Sequence, residues 1–113
     1  MGLVMTQPMR EPTYYALAAL LDGRLHGYGI IKRAAELSDG GVRITAGTLY
    51  GAIDRLIDQG LVTADGEEVV SGRLRRYYRI TGEGERVLVE EAARLGAASE
   101  IVVRRLRPAP GAS

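Results

Sequence analysis

Apolar side chains recur along the chain with two different periods, and the switch between them divides it into helical and extended parts. Leu17, Leu20 and Leu21 follow Thr13 at helical spacing, and the Thr13 hydroxyl suits an N-cap. Asp22-Gly23 ends this first helix, with Gly23 supplying a left-handed C-cap. Residues 27–38 predict a second helix, with Tyr28, Ile31 and Ala35 on one face and Lys32, Arg33 and Glu36 elsewhere. Gly40-Gly41 then breaks the chain. The third helix has the clearest pattern. Thr45 is its N-cap, Leu49, Ile53, Leu56 and Ile57 form one buried stripe, and Gly60 closes it.

The period then changes. Residues 61–69 and 74–80 read as two strands joined around Ser71-Gly72. In the second strand Arg76, Tyr78 and Ile80 point one way and Arg75, Tyr77 and Arg79 the other. Thr81 caps a long final helix, and Glu83 in its first turn is favoured by the helix dipole. Leu88, Ala92, Leu95, Ser99, Val102 and Leu106 repeat along it with alternating spacings of four and three, a heptad seam that Pro108 and Pro110 end. Residues 1–12 hold Pro8 and Pro12 without periodicity and read as a mobile tail, as do residues 108–113. The fold class is mainly α with a small β-hairpin. A winged helix-turn-helix over residues 13–81 is followed by a dimerisation helix over residues 82–107.

Composition narrows the chemistry. A chain of 113 residues, 46% hydrophobic and 26% charged, suits one globular domain. With no Cys and one His, disulfides, thiolate metal sites, cysteine nucleophiles and a multi-histidine zinc site within the chain are excluded, and no metal or cofactor is expected. No apolar run approaches the roughly 18 residues of a membrane span. The stretch from Met1 to Met9 lacks the basic start and apolar middle of a secretory signal, so the expected location is the cytoplasm, with no membrane partner. No Ser/His/acid set, phosphate loop or nucleotide-binding glycine spacing is present, and the chain does not read as an enzyme.

Net charge is only +1, but its distribution is uneven. Arg73, Arg75, Arg76 and Arg79 cluster with no acid among them, flanked by Asp65, Glu67 and Glu68 before and by Glu83, Glu85, Glu90 and Glu91 after. Such a segment is either a local contact for something anionic or a solvated strand pair whose charges balance. The architecture favours the first. In a winged helix the third helix enters the major groove with its N-terminal residues leading, and the hairpin arginines meet phosphate or a narrow minor groove. The expected partner is double-stranded DNA. The alternative is a winged-helix module that binds protein instead, for which the near-neutral charge and Asp54 and Asp58 on the third helix speak.

The candidate DNA-binding residues are Thr45, Ala46, Thr48, Tyr50 and Arg55 of the third helix, His26 and Tyr28 at the start of the second, and Arg73, Arg75 and Arg76 of the hairpin. Thr48 and Tyr50 offer hydroxyls to phosphate or base edges, though Tyr50 can instead pack under the wing. Arg55 either touches phosphate or pairs with Asp58. Arg73 is nearest the tip; of Arg75 and Arg76, on opposite faces, one contacts DNA while the other pairs with Glu67 or Glu68. Tyr77 and Tyr78 read as core and strand-pair residues. His26 precedes helix amides that can hold phosphate, or is a structural histidine. Gly47 and Gly51, at a cost of about 1 kcal/mol each inside a helix, point either to a closely approaching partner or to tight helix packing. The dimerisation candidates are Leu88, Ala92, Leu95, Ser99, Val102 and Leu106, a row too long for a core this small to cover.

Several of these segments carry a joint resemblance. They are Leu25-His26-Gly27-Tyr28-Gly29-Ile30, Gly47-Thr48-Leu49-Tyr50, Ile53-Asp54-Arg55-Leu56, Gly60-Leu61-Val62 and Arg75-Arg76-Tyr77-Tyr78-Arg79-Ile80-Thr81. In this register, over about residues 13–90, the chain resembles the PadR family of bacterial transcriptional regulators, and within it the short subfamily with a single C-terminal helix. Ala46 stands where many relatives have Pro, and it suits a first helical turn equally. The resemblance implies a homodimer built by the terminal helices, a roughly palindromic operator and repression. It also implies a small-molecule effector whose identity the sequence does not give, relatives responding to phenolic acids, drugs or other compounds. With no Trp available for indole stacking, an effector pocket is expected among aliphatic residues of helices one and four, with Tyr14 or Tyr15.

Overall fold

A computed structural model describes residues 8–107 of the chain. The tail expected over residues 108–113, with Pro108 and Pro110, and residues 1–7 of the N-terminal one lie outside the described residues. In chain order the elements are α1 (Glu11–Ala19), a 3-10 turn (Leu20–Asp22), β1 (Leu25–His26), α2 (Gly27–Leu37), α3 (Ala46–Asp58), β2 (Val62–Val70), β3 (Arg73–Ile80) and α4 (Gly82–Leu106). The sheet is antiparallel with order β1-β3-β2. Four helices and a three-stranded sheet form a winged helix, one strand richer than the expected hairpin. Leu25 lies opposite Tyr78 and His26 opposite Tyr77. Two residues are too few to display an alternation, so β1 is created by the strand it joins.

The helix boundaries follow from local chemistry, with some departures from the pattern. α1 begins at Glu11, two residues before the expected Thr13, so residues 11 and 12 belong to a helix and not to a tail. Pro12 sits in its first turn, where a missing N–H leaves no bond unmade. Gly23 adopts φ +139° and ψ 176°, not the left-handed cap but a region open essentially to glycine alone. Thr45 and Thr81 cap as expected, their hydroxyl oxygens accepting the N–H groups of Thr48 and Gly84 at 3.2 and 3.0 Å. Ser71 and Gly72 both have positive φ, the conformation that turns a two-residue hairpin, with Val70 paired to Arg73.

Leu17, Leu20, Ile30, Leu49, Ile53 and Val62 are the fully buried large side chains, and Val42 and Ile44 of the α2–α3 connection join them. On α2 the buried face is Gly27, Ile30 and Ala34, so Tyr28, one position round, stands 70% exposed. On α3 the buried arc is Leu49, Ala52, Ile53 and Leu56; Ile57, at the edge of that arc, is exposed. Leu21, set in the 3-10 turn and off the helical register, is exposed too.

The long helix is locked to the core at its first turns. Thr81 donates its N–H to the Leu61 carbonyl at 3.0 Å and its hydroxyl to the Gly60 carbonyl at 2.7 Å. At Gly84 a Cβ would collide with the Leu61 carbonyl oxygen and come within 2.7 Å of Ile80 Cγ1, so only glycine fits this contact. Leu88, the first residue of the seam, is buried in its own chain's core and is not free for a partner. Glu91, 6% exposed, accepts the Met9 N–H at 3.3 Å and pairs with Arg94 at 2.6 Å, which holds its carboxyl below the usual range. Beyond it α4 leaves the core, and Ala92, Leu95, Ser99, Val102 and Leu106 are all exposed.

Gly84→Ala is expected to destabilise the protein by about 1–3 kcal/mol through overpacking, although alanine is the better helix former. Gly51→Ala on α3, where the nearest neighbour of an added Cβ is Arg55 Nη1 at 3.6 Å, should instead stabilise by about 0.5–1 kcal/mol. Urea denaturation of both variants checks this; stabilisation by both would show that the α4 contact is loose.

Candidate nucleic-acid interface

The first turn of α3 is built to be exposed. Burial of Leu49, Ala52, Ile53 and Leu56 fixes the helix by its C-terminal two-thirds, which leaves Thr45, Ala46, Gly47 and Thr48 facing solvent. The Thr45 hydroxyl accepts the Thr48 N–H at 3.2 Å and lies 3.0 Å from Thr48 Oγ1, so the two hydroxyls share a hydrogen bond on the exposed turn. The positive end of the helix dipole and the remaining unpaired N–H groups of the turn add an anion-attracting edge. Gly47 has nothing within 4 Å of an added Cβ, and Gly51 touches only the Arg55 side chain. Helix packing therefore does not account for these glycines among the described residues.

Tyr50 does more structural work than either expected role. Its ring lies over the start of α2, where a Cβ on Gly27 would collide with the Tyr50 hydroxyl and stand 2.9 Å from Cζ. Gly27 thus sets the distance between the two helices, while Tyr50 stays 48% exposed. Beneath it Tyr78 is buried. Burial, with Tyr50 and the Asp54 carboxylate nearby, pushes the Tyr78 phenol up, against the opposing pull of Arg76.

His26 is held between two rings, stacked on Tyr28 at 6.5 Å and edge-on to Tyr77 at 5.7 Å. Burial, then Arg75, lowers its pKa from 6.5, with Glu68 opposing, which favours the neutral imidazole at neutral pH. Tyr28, beside it on the first turn of α2, is the most exposed aromatic of this corner.

The alternation of β3 sorts the wing arginines. Arg73, Arg75 and Arg79 share one face with Tyr77, and Leu74, Arg76, Tyr78 and Ile80 share the other. Arg76 pairs with Glu67 at 3.3 Å, which answers which of the two central arginines is engaged. Both partners are more than half exposed, so this pair adds little stability. Glu68 instead accepts a hydrogen bond from the Tyr77 hydroxyl at 3.3 Å. Among the described residues Arg73 and Arg75 have no carboxylate within ion-pair distance.

Arg55 likewise makes no ion pair with Asp58. It lines a cleft of about 720 Å³ with Met9, Arg10, Thr13, Leu56 and Val87. Tyr14 and Tyr15, expected beside an effector, are not among the residues lining it. Arg24 stands outside the residues that the sequence pattern singles out. It lies 4.4 Å over the Tyr77 ring and donates to the Asp65 carbonyl at 2.9 Å. A lone arginine after a turn glycine carries no periodic signal, and only the unpredicted β1 brings it to the wing.

Comparison with known proteins places this arrangement. Residues 16–90 match the model of the transcriptional regulator PadR-like family. Over 70 residues the chain is 40% identical to the transcriptional regulator Rv3488 of Mycobacterium tuberculosis, a match covering 62% of each, so it spans less than two-thirds of that relative. A PadR family transcriptional regulator from Eggerthella lenta shares 33% identity and a TM-score of 0.68 over 86% of this chain and 82% of its own. Bacillus subtilis PadR in complex with operator DNA shares the fold, with a TM-score of 0.63 at 21% identity over 92% of this chain and 52% of its own. The chain belongs to the PadR-like family of transcriptional regulators.

Proposed function

We propose that the protein is a DNA-binding repressor that acts as a homodimer on a palindromic operator and lets go of it when a small molecule binds. The observation that carries the reading is an exposed, hydroxyl-bearing first turn of α3 in the same small fold as a wing whose Arg73 and Arg75 have no carboxylate within ion-pair distance among the described residues. The turn fits a major groove, and the two guanidinium groups fit phosphate flanking it. The glycines of α3 support close approach by something outside the chain, since no contact among the described residues requires them. The operator complex of the Bacillus subtilis relative agrees with this reading. A gel-shift assay with the region upstream of the protein's own gene tests it; retention of the duplex at physiological salt is expected.

A protein-binding role is the second reading, and Asp54 and Asp58, both exposed on α3, favour it. A chain that ignores every duplex at low salt would support that role.

The dimer is assigned to the half of α4 that leaves the core. Leu95, Val102 and Leu106 are apolar and exposed there, a row that a second copy would cover. Cytoplasmic location follows from the function. The effector is assigned to the cleft, where Arg10 and Arg55 would meet an anionic group and Leu56 and Val87 an apolar body. A ligand there would touch α3 directly.

Arg73→Ala with Arg75→Ala should weaken operator binding and flatten the plot of log affinity against log salt by up to about 2 per protomer, about 4 for the dimer. Arg76→Ala, already engaged by Glu67, should change it less. An unchanged slope in the double variant would remove the wing from the interface. Leu95→Glu should leave the winged helix folded and yield monomers by light scattering, because its carboxylate would be buried without a partner. Operator affinity should fall toward that of one half-site. Persistent dimers would place the interface elsewhere.

A further inference from the structure

The wing beyond its root has no support from the helical core: residues 67–76 are exposed apart from the half-buried Val70. Its direction is set lower down. Between Ala64, opposite Tyr78, and Glu67, opposite Arg76, β2 carries one extra residue, a bulge at Asp65 and Gly66. Gly66 has φ +94°, and a bulge bends the strand and leaves ladder groups unpaired. One of those groups, the Asp65 carbonyl, accepts a hydrogen bond from Arg24 Nη1 at 2.9 Å. The same guanidinium lies 4.4 Å over the Tyr77 ring, and the Tyr77 hydroxyl reaches on to Glu68. A Cβ on Gly66 would come within 2.9 Å of Arg24 Nη1, so the glycine makes room for the clamp as well as for the bend.

We infer that Arg24 is a positioning residue for DNA recognition: it ties the turn between α1 and α2 across β3 to the bulge, and so fixes the angle at which the wing presents Arg73 and Arg75 beside α3. The inference rests on the DNA-binding reading above. A planar guanidinium suits the task because it can stack on a ring and donate in its own plane at once, which an ammonium cannot do.

The test uses the full chain and a duplex from the region upstream of its own gene. In the free protein, Arg24→Gln should speed amide exchange across residues 67–76 by about tenfold or more while the helices keep their protection. It should weaken binding by about three- to tenfold, and Arg73→Ala should then cost less than in the parent, because a wing no longer held cannot deliver its tip. Tyr77→Leu should reproduce the loss without adding to it. Arg24→Lys decides between a clamp and a direct phosphate contact: it should fail to restore binding. Full rescue by lysine, or unchanged wing exchange in Arg24→Gln, overturns the inference. Failure of the parent to bind the duplex overturns the DNA reading and the purpose given to Arg24, while the exchange result still decides whether the clamp exists.

Discussion

Burial of one face of α3 governs what its other face is free to do. Leu49, Ala52, Ile53 and Leu56 are pressed against α1, α2 and the sheet root, and each removes apolar surface from water at about 25 cal/mol per Å². That stripe fixes the helix rotation to within the width of a side chain. Given the rotation, Thr45, Ala46, Gly47 and Thr48 have to face outward, with the positive end of the helix. Tyr50 adds the second coordinate, since its ring over Gly27 sets how far α2 stands from α3. The polar turn is therefore placed by apolar contacts behind it and needs few bonds of its own.

The sparing use of charge has the same logic. A net charge of +1 gives no general attraction to a polyanion, so an anionic partner must be met by cations placed where it lies. Arg76 is neutralised by Glu67, and Arg24 is occupied by the bulge and the Tyr77 ring. Arg73, Arg75 and Arg79 remain without an ion pair among the described residues, on a strand whose alternation puts them on one face, with Arg73 and Arg75 nearest the tip. At the other end, the Gly84 contact and the Thr81 cap fasten α4 to the core, and the helix then runs on with its apolar residues uncovered.

The parts legible in the sequence were those written in repeats longer than a few residues. The stripe of α3, the alternation of β3, the Ser71-Gly72 turn and the Thr45 and Thr81 caps each carry a local rule that tertiary structure had no reason to override. The pattern failed where a contact with another element decided. Tyr28 and Ile57 sit one step outside the arcs that neighbouring helices cover, and Leu88 begins a heptad row yet is claimed by the core. β1 and the Arg24 contacts were invisible because two paired residues and one arginine have no period. Of the interface candidates, the turn of α3 and the wing tip stand exposed, whereas Tyr50 packs over Gly27 and His26 lies between two rings, so for both the packing alternative left open by the sequence is occupied.

On the proposed function, the exposed first turn of α3 and the arginine face of the wing meet the same duplex. Titrating the isotopically labelled protein with an operator duplex while following its amide resonances tests this most directly. The shifts should concentrate at residues 45–50, at His26 and Tyr28, and at residues 71–75, with the exposed half of α4 unmoved. Shifts confined to α4 and the cleft, with α3 and the wing silent, would contradict it.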